Sequence, residues 1–142
     1  MRHDAAPLLL DTHVWVWLVS DDARVSRAPC VAVIEAAAPG SRVFVSPISV
    51  WEIALLEKKG RLRFPVECMQ WVRSALDESG FLVAPFTPEI AIDSVRLPGN
   101  FHSDPADRII IATARAMGAV LVTQDRLILK YGAQNHVRTL SV

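Results

Sequence analysis

The sequence predicts an α/β fold: a three-layer α/β/α sandwich around a central, mainly parallel sheet of four to five strands. Three observations carry this. The run Leu8-Leu9-Leu10 shows no polar alternation, as expected of a strand covered on both faces. It ends at Asp11, after which Thr12-His13-Val14-Trp15-Val16-Trp17-Leu18 resumes with a helical period. Short apolar runs then recur between segments of helical period, the pattern of strands joined by helical crossovers.

Taken in order, residues 1–7 read as a short mobile tail and residues 8–142 as one domain, a size that can bury its own core. The first strand leads into a helix over Thr12 to Leu18, with Trp15, Leu18 and Trp17 facing inward. Ser26 caps a helix that runs through Val31, Val33 and Ile34 to Pro39-Gly40. Arg42-Val43-Phe44-Val45 is a second strand, and Ser46-Pro47 opens the next helix with proline in its first turn. That helix carries Val50, Ile53, Ala54 and Leu56 and stops at Lys58-Lys59-Gly60. Residues 66–79 form another helix, closed by Gly80, and residues 81–86 a third strand. Thr87-Pro88-Glu89 starts a helix to about Leu97. Asp104-Pro105-Ala106-Asp107 begins a strongly patterned helix through Ile110, Ile111, Ala114 and Met117, closed by Gly118. Residues 119–123 make the fourth strand, which ends next to Asp125, and residues 137–142 supply a fifth.

Composition narrows the function classes. Hydrophobic residues make up 51% and charged residues 21%, so disorder is excluded and apolar surface is available for a partner or a second copy. Fifteen basic residues balance fifteen acidic ones, so any nucleic-acid binding has to be local. Cys30 and Cys68 match no metal spacing and read as reduced thiols, which suits the cytoplasm. No segment reaches the roughly 18 apolar residues of a membrane span, and no signal peptide is read.

Four carboxylates occupy one kind of place. Asp11 follows the first strand, Glu52 lies early in the helix after the second, Asp107 opens the long helix and Asp125 follows the fourth strand. In a parallel sheet these positions gather at the carboxyl edge, where ligands of open α/β sheets bind. Like charges brought together raise one another's pKa and call for a positive neutraliser. Carboxylates without histidine or cysteine company suit Mg²⁺ or Mn²⁺ better than zinc, and two such ions can drive an in-line phosphodiester displacement by water. Each acid taken singly also reads as a helix cap: Ser49-Val50-Trp51-Glu52 has the form of a capping box, and Asp11, Asp104 and Asp125 stand where caps stand. One residue can do both, so the two readings stand together.

The stretches Leu9-Leu10-Asp11-Thr12-His13-Val14-Trp15, Ser46 to Ala54, Asp104 to Ala114 and Leu121-Val122-Thr123-Gln124-Asp125, in this order, resemble a PIN-domain ribonuclease of the VapC type, the toxin of bacterial and archaeal toxin–antitoxin pairs. The resemblance runs nearly end to end. It implies a PIN-like sandwich, RNA cleavage dependent on Mg²⁺ or Mn²⁺, a homodimer and a small antitoxin partner. It carries the family's acids onto Asp11, Glu52, Asp107 and, as an outer or second-metal ligand, Asp125. Thr123 becomes a candidate for orienting water, and Asp104 for a supporting hydrogen bond beside its capping role.

For RNA contact the candidates are Lys58, Lys59, Arg61 and Arg63 after the Glu52 helix, and Arg108, placed to pair with a carboxylate or phosphate. Apolar side chains at Trp51, Leu55, Leu56, Leu62 and Phe64 offer a groove for an antitoxin segment. Two rival readings are a phosphohydrolase resembling the haloacid dehalogenases, with Asp11 as nucleophile, and a catalytically silent PIN-like binding module. The first wants a second Asp where this chain has His13; intact acids at all four positions argue against the other.

Overall fold

The computed structural model describes residues 6–142. Its centre is a five-stranded sheet in the order β3-β2-β1-β4-β5, parallel at every pairing. The strands are β1 (Leu8–Leu10), β2 (Val43–Val45), β3 (Leu82–Val83), β4 (Val120–Thr123) and β5 (Arg138–Ser141). The three-layer sandwich expected from the sequence is the one observed, with the sheet wholly rather than mainly parallel. β1 lies in the middle with every residue buried, as its unbroken apolar run requires. Because β2 stacks on one side of β1 and β4 on the other, strand order reverses at β1 and opens a crevice beyond its carboxyl end.

Alternation along the strands divides the interior into two cores. Leu8 and Leu10 face α1 (Thr12–Val19), α3 (Pro29–Ala37), α4 (Pro47–Lys58) and α5 (Cys68–Ser79), through Trp15, Ile34, Ile53 and Trp71. Leu9 faces α6 (Pro88–Val95), α7 (Pro105–Met117) and α8 (Arg126–Ala133), through Ile90, Ile110, Ile111 and Ile128. Burying a side chain such as Leu9 or Ile110 contributes about 1.5–3 kcal/mol, so the two cores clamp β1 from both faces. The helices that follow strands start on side-chain caps: Asp11 for α1, Ser46 for α4, Thr87 for α6 and Asp125 for α8. Among the described residues no helix is long and apolar enough to cross a membrane.

Several local expectations need correction. Ser26 caps nothing: it ends α2 (Ala23–Ser26), whose cap is Asp22, and α3 begins afresh at Pro29, which fits a first turn but not a helix interior. The helix expected over residues 66–79 starts at Cys68, where Glu67 accepts from the N–H groups of Met69 and Gln70. The third strand shrinks to Leu82–Val83, with both residues exposed, because its one neighbour, β2, ends at Val45 opposite Val83 and gives way to α4. Ser49 is no cap; it is buried within α4, and the capping box read at Ser49–Glu52 is absent. Of the expected tail, residues 1–5 lie outside the described residues, while the Pro7 carbonyl already accepts from the N–H of Val120.

One cation ties the lower part of the second core together. Arg108 of α7 donates through Nε to the Ser94 carbonyl (2.7 Å), through one terminal nitrogen to Phe101 and His102 (3.0 and 3.1 Å), and through the other to Val95 (3.3 Å). It thereby closes the carboxyl end of α6, where unpaired carbonyls favour a positive charge, and pins the loop before α7. Replacing Arg108 by Met should lower unfolding free energy by about 2 kcal/mol, since hydrogen bonds to a charged group are among the stronger ones. Urea denaturation followed by circular dichroism measures this.

Candidate active site

A cleft of about 640 Å³ opens at the carboxyl ends of β1 and β4. Asp11, Glu52, Asp104, Asp107 and Asp125 all line it, so the acids singled out from the sequence meet although they are spread over more than a hundred residues. A second cleft of about 680 Å³, at the opposite end of the sheet, is lined by Arg115, His136 and Arg138 and, among the described residues, by no carboxylate.

Each acid is held by a specific bond. Asp11, at the end of β1, accepts from its neighbour's backbone N–H (Thr12, 2.8 Å) with one oxygen and from the Thr123 hydroxyl (2.7 Å) with the other. The Thr123 oxygen in turn accepts from the Asp125 N–H (3.0 Å), so the ends of β1 and β4 are joined through one hydroxyl. Glu52, one and a half turns into α4, accepts from the Thr12 hydroxyl (2.5 Å), which also contacts the Ser49 hydroxyl (2.7 Å). Asp104 caps α7 by accepting from the Asp107 N–H (3.1 Å), and Asp125 caps α8 through a single oxygen, Oδ1. The other Asp125 oxygen accepts no hydrogen bond among the described residues.

Asp107 has a partner that reading the sequence missed. His102 Nδ1 accepts the Asp104 N–H at 3.2 Å, which places the ring proton on Nε2, 3.3 Å from Asp107 Oδ2. The signal was present in the spacing: a histidine two residues before an N-cap can reach that cap's own N–H.

The electrostatics follow from crowding. Burial pushes the Asp107 carboxyl up to about 7, reinforced by the charges of Asp11, Asp104, Asp125 and Glu52. Burial also raises Asp11, against the lowering effect of its bonds from Thr123 and Thr12. Glu52 is raised by burial and by Asp11 and Asp104, with the Thr12 bond opposing. The cleft thus lacks positive charge at its floor, and its donor atoms there are hard oxygens suited to Mg²⁺ or Mn²⁺. Among the described residues no three acidic, histidine or cysteine side chains come together as a ready-made metal cluster.

The cations lie elsewhere than expected. Lys58, Lys59, Arg61 and Arg63 are exposed beyond the far end of α4, and none lines the cleft. Arg108 is spent on backbone carbonyls and pairs with no carboxylate. Arg24 and Arg126, which the sequence did not single out, stand on the cleft wall, together with Trp17, which is half-buried there instead of packing inward. Of the apolar set, Leu62 and Phe64 pack against the first core, Phe64 stacking on Trp71 (4.5 Å), whereas Trp51 is 56% exposed.

Comparison with known proteins agrees with this architecture. Residues 8–133 match the model of the PIN domain family. The chain is 33% identical over 135 residues to Ribonuclease VapC22 of Mycobacterium tuberculosis, covering 95% of this chain and 97% of that protein. Similar folds occur in the VapBC2 complex of Rickettsia felis bound to a promoter DNA fragment (TM-score 0.66, 18% identity, 94% and 97% of the two chains) and in DNA-bound VapBC of Salmonella typhimurium (0.66, 16%, 96% and 98%). FitAcB of Neisseria gonorrhoeae is a third (0.55, 19%, 94% and 96%). With a family match over nearly its whole length and a VapC relative one-third identical, the chain belongs to the PIN domain family, in its VapC branch.

Proposed function

We propose that this protein is a divalent-metal-dependent endoribonuclease, the toxin of a toxin–antitoxin pair acting in the cytoplasm. The observation that carries the reading is the convergence of Asp11, Glu52, Asp107 and Asp125 on one cleft at the switch point of a parallel sheet. The one-third identity to a ribonuclease supports RNA as the substrate class. Asp11, Glu52 and Asp107 would hold the cation, with Asp125 contributing its free oxygen at the outer side. A bound Mg²⁺ or Mn²⁺ supplies the positive charge that activates a water and offsets charge developing on the scissile phosphate.

The chain's own residues prepare the site. Thr123 and the Thr12 N–H fix both Asp11 oxygens, and the Thr12 hydroxyl fixes Glu52, so two acids are set by a single residue at the start of α1. His102 sets the rotation of Asp107. Arg24 and Arg126 supply positive charge where a phosphate backbone enters. Lys58, Lys59, Arg61 and Arg63 can meet an RNA strand only where it runs past the cleft.

An antitoxin partner is supported by the likeness to chains from VapBC complexes and by the exposure of Trp51 on α4. A homodimer belongs to the same proposal, supported by exposed apolar side chains at Leu82, Val83 and Phe86 along the β3 edge and at Ile92 and Val95 on α6.

Three outcomes are expected. Incubated with mixed RNA and Mg²⁺ or Mn²⁺, the protein cleaves internal phosphodiester bonds; EDTA abolishes this and Asp11→Asn lowers it by roughly two orders of magnitude or more. Activity indifferent to both would refute the metal-dependent reading. His102→Ala lowers kcat about tenfold with KM little changed, the usual scale for a group that orients a ligand, and His102→Gln recovers part of the loss.

The third concerns pH. Asp107, Asp11 and Glu52 bind protons more tightly folded than unfolded, so stability is full at low pH and falls as pH rises from about 4 toward 7. In EDTA the thermal midpoint therefore declines from pH 5 to pH 8. Mg²⁺ or Mn²⁺ restores it at pH 8 far more than at pH 5, and Asp107→Asn flattens the slope. Differential scanning calorimetry reads all three.

A further inference from the structure

The wall of the acidic cleft carries a feature that neither the carboxylates nor the fold requires. Trp17 and His13 stand one turn apart on α1, with ring centroids 6.0 Å apart at 46°. The Arg24 guanidinium lies over the Trp17 ring, its carbon 4.8 Å from the centroid. Arg24 is tethered there: Asp22 caps α2 by accepting the Arg24 N–H (2.9 Å), and the same oxygen accepts from Arg24 Nε (3.1 Å). The two terminal nitrogens make no hydrogen bond among the described residues, and the Arg24 side chain is 61% exposed.

An exposed tryptophan costs solvation, and a core would have taken its ring inward as it took Trp15, which is fully buried two residues earlier. Here the indole is half-buried on the cleft wall and its cover is a planar cation held by a carboxylate. Six residues of helix set Trp17 about 9 Å along α1 from Asp11, within reach of a nucleotide next to one whose phosphate sits at the acids. Aromatic rings and guanidinium planes are the surfaces on which unpaired bases stack, and every base offers a π-face to them.

We infer that His13, Trp17 and Arg24 form a stacking shelf for one unpaired nucleobase flanking the scissile phosphate. The inference rests on the nuclease reading above and adds to it a contact site on this chain's own residues for an unstacked base beside the cut. Arg24 contributes its plane and its charge, so lysine is no substitute for it.

The test uses the full chain carrying Asp11→Asn, which prevents turnover, and a fluorescein-labelled single-stranded 12-nucleotide RNA with Mg²⁺, followed by anisotropy. Trp17→Leu and Arg24→Ala each weaken binding about tenfold, and Arg24→Lys stays weak although it keeps the charge. A set of oligonucleotides with one abasic site walked along the strand shows one position whose loss costs a similar factor in the parent and nothing further in Trp17→Leu. Unchanged affinity in both Trp17→Leu and Arg24→Ala, with normal circular dichroism, would overturn the shelf, as would an abasic penalty equal in parent and variant. Since Arg24 is exposed, Arg24→Ala remains informative if Trp17→Leu does not fold. Failure of the nuclease reading is a separate result: the unmodified chain then cleaves no RNA with either metal, whereas failure of the shelf inference alone shows as unchanged binding by the two variants of a chain that does cleave.

Discussion

Everything at the carboxyl edge of this sheet depends on a carboxylate buried where water cannot fully solvate it. Asp11 is 9% exposed, wedged at the end of the central strand between β2 and β4. An ionised carboxylate in such a place is tolerated only if its oxygens are hydrogen-bonded, and here one takes the Thr12 N–H and the other the Thr123 hydroxyl. Those bonds fix the position of both strand ends, and they set the origin from which Glu52, Asp107 and Asp125 are disposed around the cleft. Burial raises the pKa of Asp11, Glu52 and Asp107, and the neighbouring negative charges raise it further, so the cleft carries an uncompensated acidic character.

Capping a helix and lining the cleft are not alternatives in this protein. Asp11 caps α1 and Asp125 caps α8, yet each presents oxygen to the cleft. The reason is geometric. A helix that follows a parallel strand begins at the same edge where ligands bind, so an acid that satisfies the first turn is already in the right place. Asp104 shows the division of labour: it caps α7 and steadies, through its own N–H, the imidazole that reaches Asp107.

What the sequence made legible were features with a period or a strong local rule. The unbroken Leu8–Leu10 run marks a central strand, and the pattern from Asp104 to Gly118 marks α7 to within a residue. The acids were legible because each stands at a boundary between two periods. What escaped depends on contacts remote in sequence or on very short elements. The break between α2 and α3 follows from Asp22 and Pro29 competing with Ser26, and β3 is short because its one neighbour, β2, ends at Val45. Arg108 looked like an anion ligand from its place beside Asp107, but α6 turns its last carbonyls toward it. The helical period placed Trp17 inward, and Arg24 and His102 gave no periodic signal, since the meaning of all three lies in which loop or helix faces the cleft.

The bond between Thr123 and Asp11 spans 112 positions along the chain. Since β4 must slot beside β1 before that bond exists, a polypeptide growing from its amino end holds Asp11 without its lock until Thr123 has been made. The central strand waits for its second neighbour, and closing so long a loop is slow compared with forming a helix. The floor of the cleft is therefore completed late in folding, after the helices on both faces have begun to form.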